Sequence, residues 1–198
     1  MVRLAYDSNV RQTDHVEYPT KGWCGVGAAV VDSPQNEEAQ AWWFLDTLVV
    51  EHRQAPGMRT VVLEMTLPVG HAPALHIHEN LDDTWYVLEG QMALRCGDDE
   101  MMVTAGHWVS MPRGVPHAFR VVGDQPARIL TVHDNATFRD FVRELGVPAP
   151  VRVVPTEPVF PPMDELRRIA AHHDLQPIGP PMTPAQAATV VAGQPVRQ

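Results

Sequence analysis

The sequence predicts an all-β sandwich or barrel followed by a short helical tail. Three observations carry this reading. Short runs of aromatic and β-branched residues fill the chain from about residue 40 to 134. Gly, Pro, Asn and Asp punctuate them at intervals of about eight to twelve residues. After residue 134 the apolar spacing turns helical. The expected organisation is an irregular N-terminal segment over 1–40, a barrel over 41–134, and a Pro-rich helical extension over 135–198 that packs on the barrel.

Each element has its own signal. Residues 1–40 are turn-rich, with Gly22, Gly25 and Gly27 around a short apolar stretch and Ser33-Pro34-Gln35-Asn36 as a turn. No GK[ST] follows those glycines, so they are not a phosphate loop. Trp42 to Leu45, Leu48 to Val50, and Thr60 to Leu67 read as strands. Trp85 to Gln91 reads as a strand ending in a turn, with Met92 to Cys96 as its return. Gly97-Asp98-Asp99-Glu100 turns the chain into Met101 to Thr104, and Ala105-Gly106 is the next break. His107 to Met111, Val115 to Val122 and Ala127 to His133 complete the set, separated by Pro112-Arg113-Gly114 and Gly123-Asp124-Gln125-Pro126.

In the tail, Phe138, Phe141, Val142 and Leu145 stand at helical spacing, with Thr137 as the expected N-cap and Gly146 as the stop. Eleven of the nineteen prolines lie between Pro148 and Pro195, which predicts that only short helices survive there. Met163 to His173 carries acids in its first turn and histidines in its last, agreeing with the helix dipole. Thr183-Pro184 is a cap followed by proline at the first helical position, opening Ala185 to Val191.

The totals exclude several function classes. A chain of 198 residues with 44% hydrophobic and 20% charged residues is globular and long enough for one full core. A net charge of −9 with a single lysine, Lys21, argues against a nucleic-acid partner. Cys24 and Cys96 lack CxxC spacing and read as free, buried thiols of a reducing compartment. The opening residues MVRLAYDSNVRQTDHVEY lack the apolar core of a signal peptide. No run of roughly 18 apolar residues occurs, so the expected location is cytoplasmic, with no membrane partner.

The chemistry is carried by His76-Ile77-His78, Asp83 and His117. Histidines at i and i+2 on a strand share one face, because side chains alternate with period two. A carboxylate and a third imidazole on neighbouring strands let four ligands converge on one point. Imidazole and carboxylate suit a divalent first-row metal: iron, nickel, manganese, cobalt or zinc. By the same parity Trp85 and Val87 face inward with Asp83, while Thr84 and Tyr86 face away. Val115, Phe119 and Val121 share a face with His117. The expected substrate pocket has the metal on one side and Met65, Trp85, Phe119 and Val121 on the other, fitting a flat, largely apolar small molecule. Glu79 points away by alternation, so Asp83 ranks above it as fourth ligand. His133 and His107 read as surface or turn filling, with a supporting role beside a ligand as the alternative. His172-His173 reads as a favourable helix-end charge, and His15, His52 and His71 have no partner that the sequence names.

The spacing sharpens this. The first block is Gly70-x5-His76-x-His78-x4-Asp83-x6-Gly90, and the second is Gly106-x5-Pro112-x-Gly114-x2-His117-x3-Val121. Together they resemble the two signature motifs of the cupin superfamily, in order and in internal distance. Two positions depart: the family usually has Glu where Asp83 stands and often Asn where Val121 stands. The resemblance implies a double-stranded β-helix, or jelly-roll barrel, and a homodimer paired through its outer sheet, with Ile77, Tyr86, Trp42 and Trp43 as the available surface. The tail is similar to those of bacterial single-domain cupins that resemble quercetin 2,3-dioxygenases. That likeness implies a metal-dependent dioxygenase acting on a small aromatic or enolic molecule, with Asp83 as both ligand and general base. A non-oxidative isomerase, cyclase or decarboxylase is the alternative on the same fold, and a non-catalytic metabolite-binding module is a third reading.

Overall fold

A computed structural model describes residues 40–52, 57–158 and 160–193, so the glycines at 22–27, Cys24 and His15 lie outside the described residues. Ten strands run from residue 40 to 133: β1 Gln40–Phe44, β2 Thr47–Glu51, β3 Val61–Leu67, β4 Ala74–His78 and β5 Asp83–Glu89 come first. They continue as β6 Gln91–Cys96, β7 Asp99–Thr104, β8 Trp108–Met111, β9 His117–Val122 and β10 Ala127–His133. The tail holds α1 Thr137–Leu145, a two-residue β11 at Val147–Pro148, α2 Met163–His172, β12 Leu175–Pro181 and α3 Pro184–Ala192.

These strands form two antiparallel sheets of a double-stranded β-helix, ordered β11-β1-β2-β3-β10-β5-β8 and β12-β4-β9-β6-β7. Alternation decides what each sheet buries. On β5, Asp83, Trp85 and Val87 are buried, while Thr84 and Tyr86 are not. On β10, Ala127, Ile129, Thr131 and His133 are buried, and on β3, Val61, Leu63, Met65 and Leu67. One continuous core joins these residues to Met92, Leu94, Phe119 and Val121 of the facing sheet. Among the described residues, no helix is long and apolar enough to cross a membrane.

The tail docks on the barrel. The apolar face of α1 buries Phe141 and Val142, and Phe141 meets Phe44 edge-on with ring centroids 5.2 Å apart. The expected Thr137 cap is displaced by one residue. Ala136 occupies the N-cap, and Asn135 Oδ1 accepts the Thr137 backbone N–H at 2.9 Å. Thr183 caps α3 in a reciprocal capping box with Gln186, as its Thr-Pro start predicts. α3 buries Ala187 and Val190 with Met182 and Ala93.

The prolines did not confine the tail to helices. β12 contains Pro177, Pro180 and Pro181 and pairs with β4. It lies at the sheet edge, where a missing N–H breaks no ladder between two neighbours. Trp42 and Trp43, expected on the outer surface of the sheet, are half-buried. Trp42 stands opposite Pro148 of β11, and Trp43 Nε1 donates to the Val153 carbonyl at 2.8 Å. Tyr86 and Trp108 remain as exposed aromatics of that sheet.

Gly90 shows how tightly a motif glycine is specified. Its φ is +76°, and a Cβ there would lie 2.5 Å from the Pro126 carbonyl oxygen. Gly90→Ala combines a left-handed backbone with a clash against main chain. It should cost about 2 kcal/mol, read as a lower urea midpoint. An unchanged midpoint would mean that the β5–β6 turn yields freely.

Candidate metal centre

β4 and β9 lie side by side with His76 opposite His117, and His78 follows on the same face of β4. All three imidazoles are buried, and one ring nitrogen from each lies within 4.8 Å of the others. Ring centroids are 4.3 Å apart for His76 and His117, and 5.0 Å for His76 and His78.

The hydrogen bonds settle which nitrogen is free. Nδ1 of His76 reaches the Ala74 carbonyl at 2.7 Å, Nδ1 of His117 the Val115 carbonyl at 2.9 Å, and Nδ1 of His78 the Asp174 carbonyl at 3.2 Å. A carbonyl only accepts, so each Nδ1 carries the proton and each Nε2 keeps its lone pair. His117 Nε2 is buried with no hydrogen-bond partner. Three grouped imidazoles with free lone pairs, one of them orphaned in the interior, fit a divalent transition metal. Burial, reinforced by charge on His117, pushes the His76 imidazole down to about 4, and burial also lowers His78. Both are therefore neutral near pH 7, as ligands must be.

The loops that hold this face are tied to each other. Gly114 has a φ of +76° and donates its N–H to the His78 carbonyl at 2.7 Å. Arg113 grips Asp82, with Nη2 donating to Oδ2 at 2.7 Å and Nε to Oδ1 at 3.0 Å. The Pro-x-Gly turn of the second block thus clamps the segment between His78 and Asp83 of the first.

Asp83 comes from the opposite sheet and stands at the rim of the triad. Its Oδ2 is 3.7 Å from His117 Nε2, while Oδ1 accepts from Trp85 Nε1 at 2.6 Å and faces His133 Nε2 at 3.2 Å. The grouping of potential ligand atoms within 4.8 Å comprises the three histidines and leaves Asp83 beside them. Burial works to raise the Asp83 pKa, but the His117 and His133 imidazoles hold it below the usual carboxylate range.

Met65, Trp85, Phe119 and Val121 are all buried and belong to one core. The Trp85 and Phe119 rings meet edge-on at 4.8 Å. They are packed side chains of the barrel core. His133, read from sequence as turn or surface filling, is instead 2% exposed and touches Asp83. The signal was available: His133 keeps the inward parity of Ile129 and Thr131. His107 is exposed, as expected, with Nδ1 accepting the Thr104 N–H.

The other histidines gain partners that sequence could not name. His71 Nδ1 lies 2.8 Å from Asp46 Oδ1, and His52 Nε2 lies 3.5 Å from Glu64 Oε2. His172, His173 and Glu144 form a second, more exposed group of potential ligands. There His173 Nε2 and Glu144 Oε2 are already in direct contact at 2.6 Å, tying α2 to α1. Cys96 is free and partly buried, which raises its thiol pKa.

Residues 63–133 match a protein-family profile described as Cupin domain. The chain is 24% identical over 156 residues to quercetin 2,3-dioxygenase of Bacillus subtilis, covering 79% of this chain and 46% of that protein. It is 28% identical over 74 residues to the uncharacterized protein MJ1618 of Methanocaldococcus jannaschii, covering 37% of this chain and 59% of that one. The chain thus spans about half the length of the curated relatives it matches. Among solved structures, KdgF from Halomonas sp. aligns with a TM-score of 0.46 at 13% identity, over 55% of this chain and 96% of that chain.

Proposed function

We propose that this chain, whose residues 63–133 match the Cupin domain profile, is a metal-dependent cupin enzyme acting on a small aromatic or enolic molecule, as a dioxygenase. The observation that carries the reading is the grouping of His76, His78 and His117, each fixed through Nδ1 to a backbone carbonyl. The similarity to quercetin 2,3-dioxygenase supports the substrate class and the oxidative reaction.

A divalent metal on this triad would polarise a substrate oxygen and leave positions open for further ligands. The chain's own residues would do the rest. Asp83, fixed by Trp85 and His133, would accept the proton of an enolic hydroxyl. A carboxylate with a lowered pKa is a weak base. Trp85 Nε1 and His133 Nε2 both face Oδ1, which leaves Oδ2 as the oxygen that would take the proton. Trp85 fixes the carboxylate through its indole N–H and, with Phe119, keeps water from that side.

The test is oxygen consumption by the metal-loaded protein with a panel of flavonols. Substrate-dependent uptake of dioxygen, abolished by chelation, is the expected result. Conversion without oxygen uptake would replace the reading with an isomerase, cyclase or decarboxylase. Retained metal without turnover would make the protein a metabolite-binding module.

A further inference from the structure

Two of the three imidazoles are oriented from within their own strands' neighbourhoods, by carbonyls two residues upstream: Ala74 for His76 and Val115 for His117. His78 is different. Its Nδ1–H is held by the carbonyl of Asp174, which lies in the tail, outside the residues that match the family.

Asp174 is built for two contacts at once. It sits between α2 and β12 with φ +61°, a left-handed conformation that Asp and Asn tolerate better than most residues. In that conformation its carbonyl meets His78, and its carboxylate accepts three hydrogen bonds from the segment just beyond. Glu79 N donates to Oδ1 at 3.2 Å, Asn80 N to Oδ2 at 2.7 Å, and Asn80 Nδ2 to Oδ1 at 3.0 Å. Immediately afterwards β12 pairs with the ligand strand, placing Leu175 opposite His78 and Pro177 opposite His76. Upstream, the His173–Glu144 contact and the burial of Ile169 and Ala170 anchor α2.

We infer that Asp174 is a positioning residue for His78, and that the segment from Asp174 to Pro181 completes the metal centre that the barrel strands begin. The inference rests on the metal-dependent reading given above. An imidazole whose outer nitrogen loses its acceptor is free to rotate and to change tautomer, and its partners typically hold roughly 10–100-fold in metal affinity.

Two full-length variants test this. Asp174→Gly keeps the left-handed backbone and the carbonyl but removes the carboxylate clasp. Asp174→Asn keeps the backbone and one acceptor oxygen. Co(II) affinity is measured by calorimetry and the Co(II) absorption spectrum is recorded, with thermal unfolding of the metal-free proteins in parallel. Asp174→Gly should weaken Co(II) binding by roughly 10–100-fold and alter the spectrum, and Asp174→Asn should restore most of the affinity. If Asp174→Gly does not fold, Asn80→Ala replaces it, removing the side-chain bond alone, and should weaken binding in the same direction. A variant that unfolds at lower temperature but binds Co(II) with wild-type affinity and spectrum would overturn the inference alone. No Co(II) uptake by the wild-type protein would overturn the metal-dependent reading as well.

Discussion

His76→Ala should leave the purified protein without bound metal, with affinity reduced by at least ~100-fold, beyond the usual loss of a supporting partner. The reason is geometric: with His76 gone, only two of the three grouped imidazole nitrogens remain. Asp83→Ala should behave in the opposite way. Its Oδ1 is engaged by Trp85 and His133, and the carboxylate stands beside the grouped triad, so metal should be retained. Turnover should fall by roughly 10²–10⁴-fold, the range for a lost general base. Elemental analysis of both variants, beside a steady-state assay, separates the roles. Metal loss from Asp83→Ala would restore it as a fourth ligand, and full metal retention in His76→Ala would remove the assignment of the triad.

The metal-free protein should lose about 3 kcal/mol of stability between pH 6.5 and pH 4 through His76 alone. The sign follows from linkage. The folded-state pKa of His76 is lowered to about 4, whereas the unfolded chain takes up that proton near 6.5. In that window the unfolded state binds more protons, so stability falls as pH falls, and the loss is complete once both states are protonated. His78, also lowered by burial, acts in the same direction. Asp83 does not offset this, because a lowered carboxylate stabilises above its unfolded pKa and loses its effect only in stronger acid. Urea midpoints of chelator-stripped protein at pH 7.5 and 4.5 measure the effect, and His76→Leu should flatten the profile. Equal wild-type midpoints at the two pH values would show that the triad is not buried in solution as described. With metal bound the acid loss should be steeper, since protons compete for the same Nε2 lone pairs.

Period-two alternation made most of the barrel and its polar interior legible. It placed His76, His78, Asp83, Trp85, His117 and Phe119 inward, and all are buried. The same count reaches His133, yet a strand's final residue reads equally as the start of a turn, so its contact with Asp83 was hidden. Helical spacing found α1, α2 and α3, because each shows an apolar face or a cap in its own residues. Two features were illegible for a physical reason. Three prolines in seven residues argue against a strand unless its place at a sheet edge is known, and local sequence does not carry that place. The Asp174–His78 bond spans 96 positions, and nothing near His-His-Asp announces which imidazole its carbonyl will meet. Asp83, where the resembled motif usually has Glu, lies beside the grouped histidines and accepts the Trp85 indole N–H.

β12 also bears on how the molecule behaves in company. Without it, β4 would be the last strand of its sheet and would present unpaired amides to any extended peptide it met. With it, the outermost strand lacks an N–H at Pro177, Pro180 and Pro181, a poor template for further addition. The tail therefore shields the chain from edge-to-edge aggregation, and recombinant forms cut before residue 175 should precipitate where the intact chain stays dispersed.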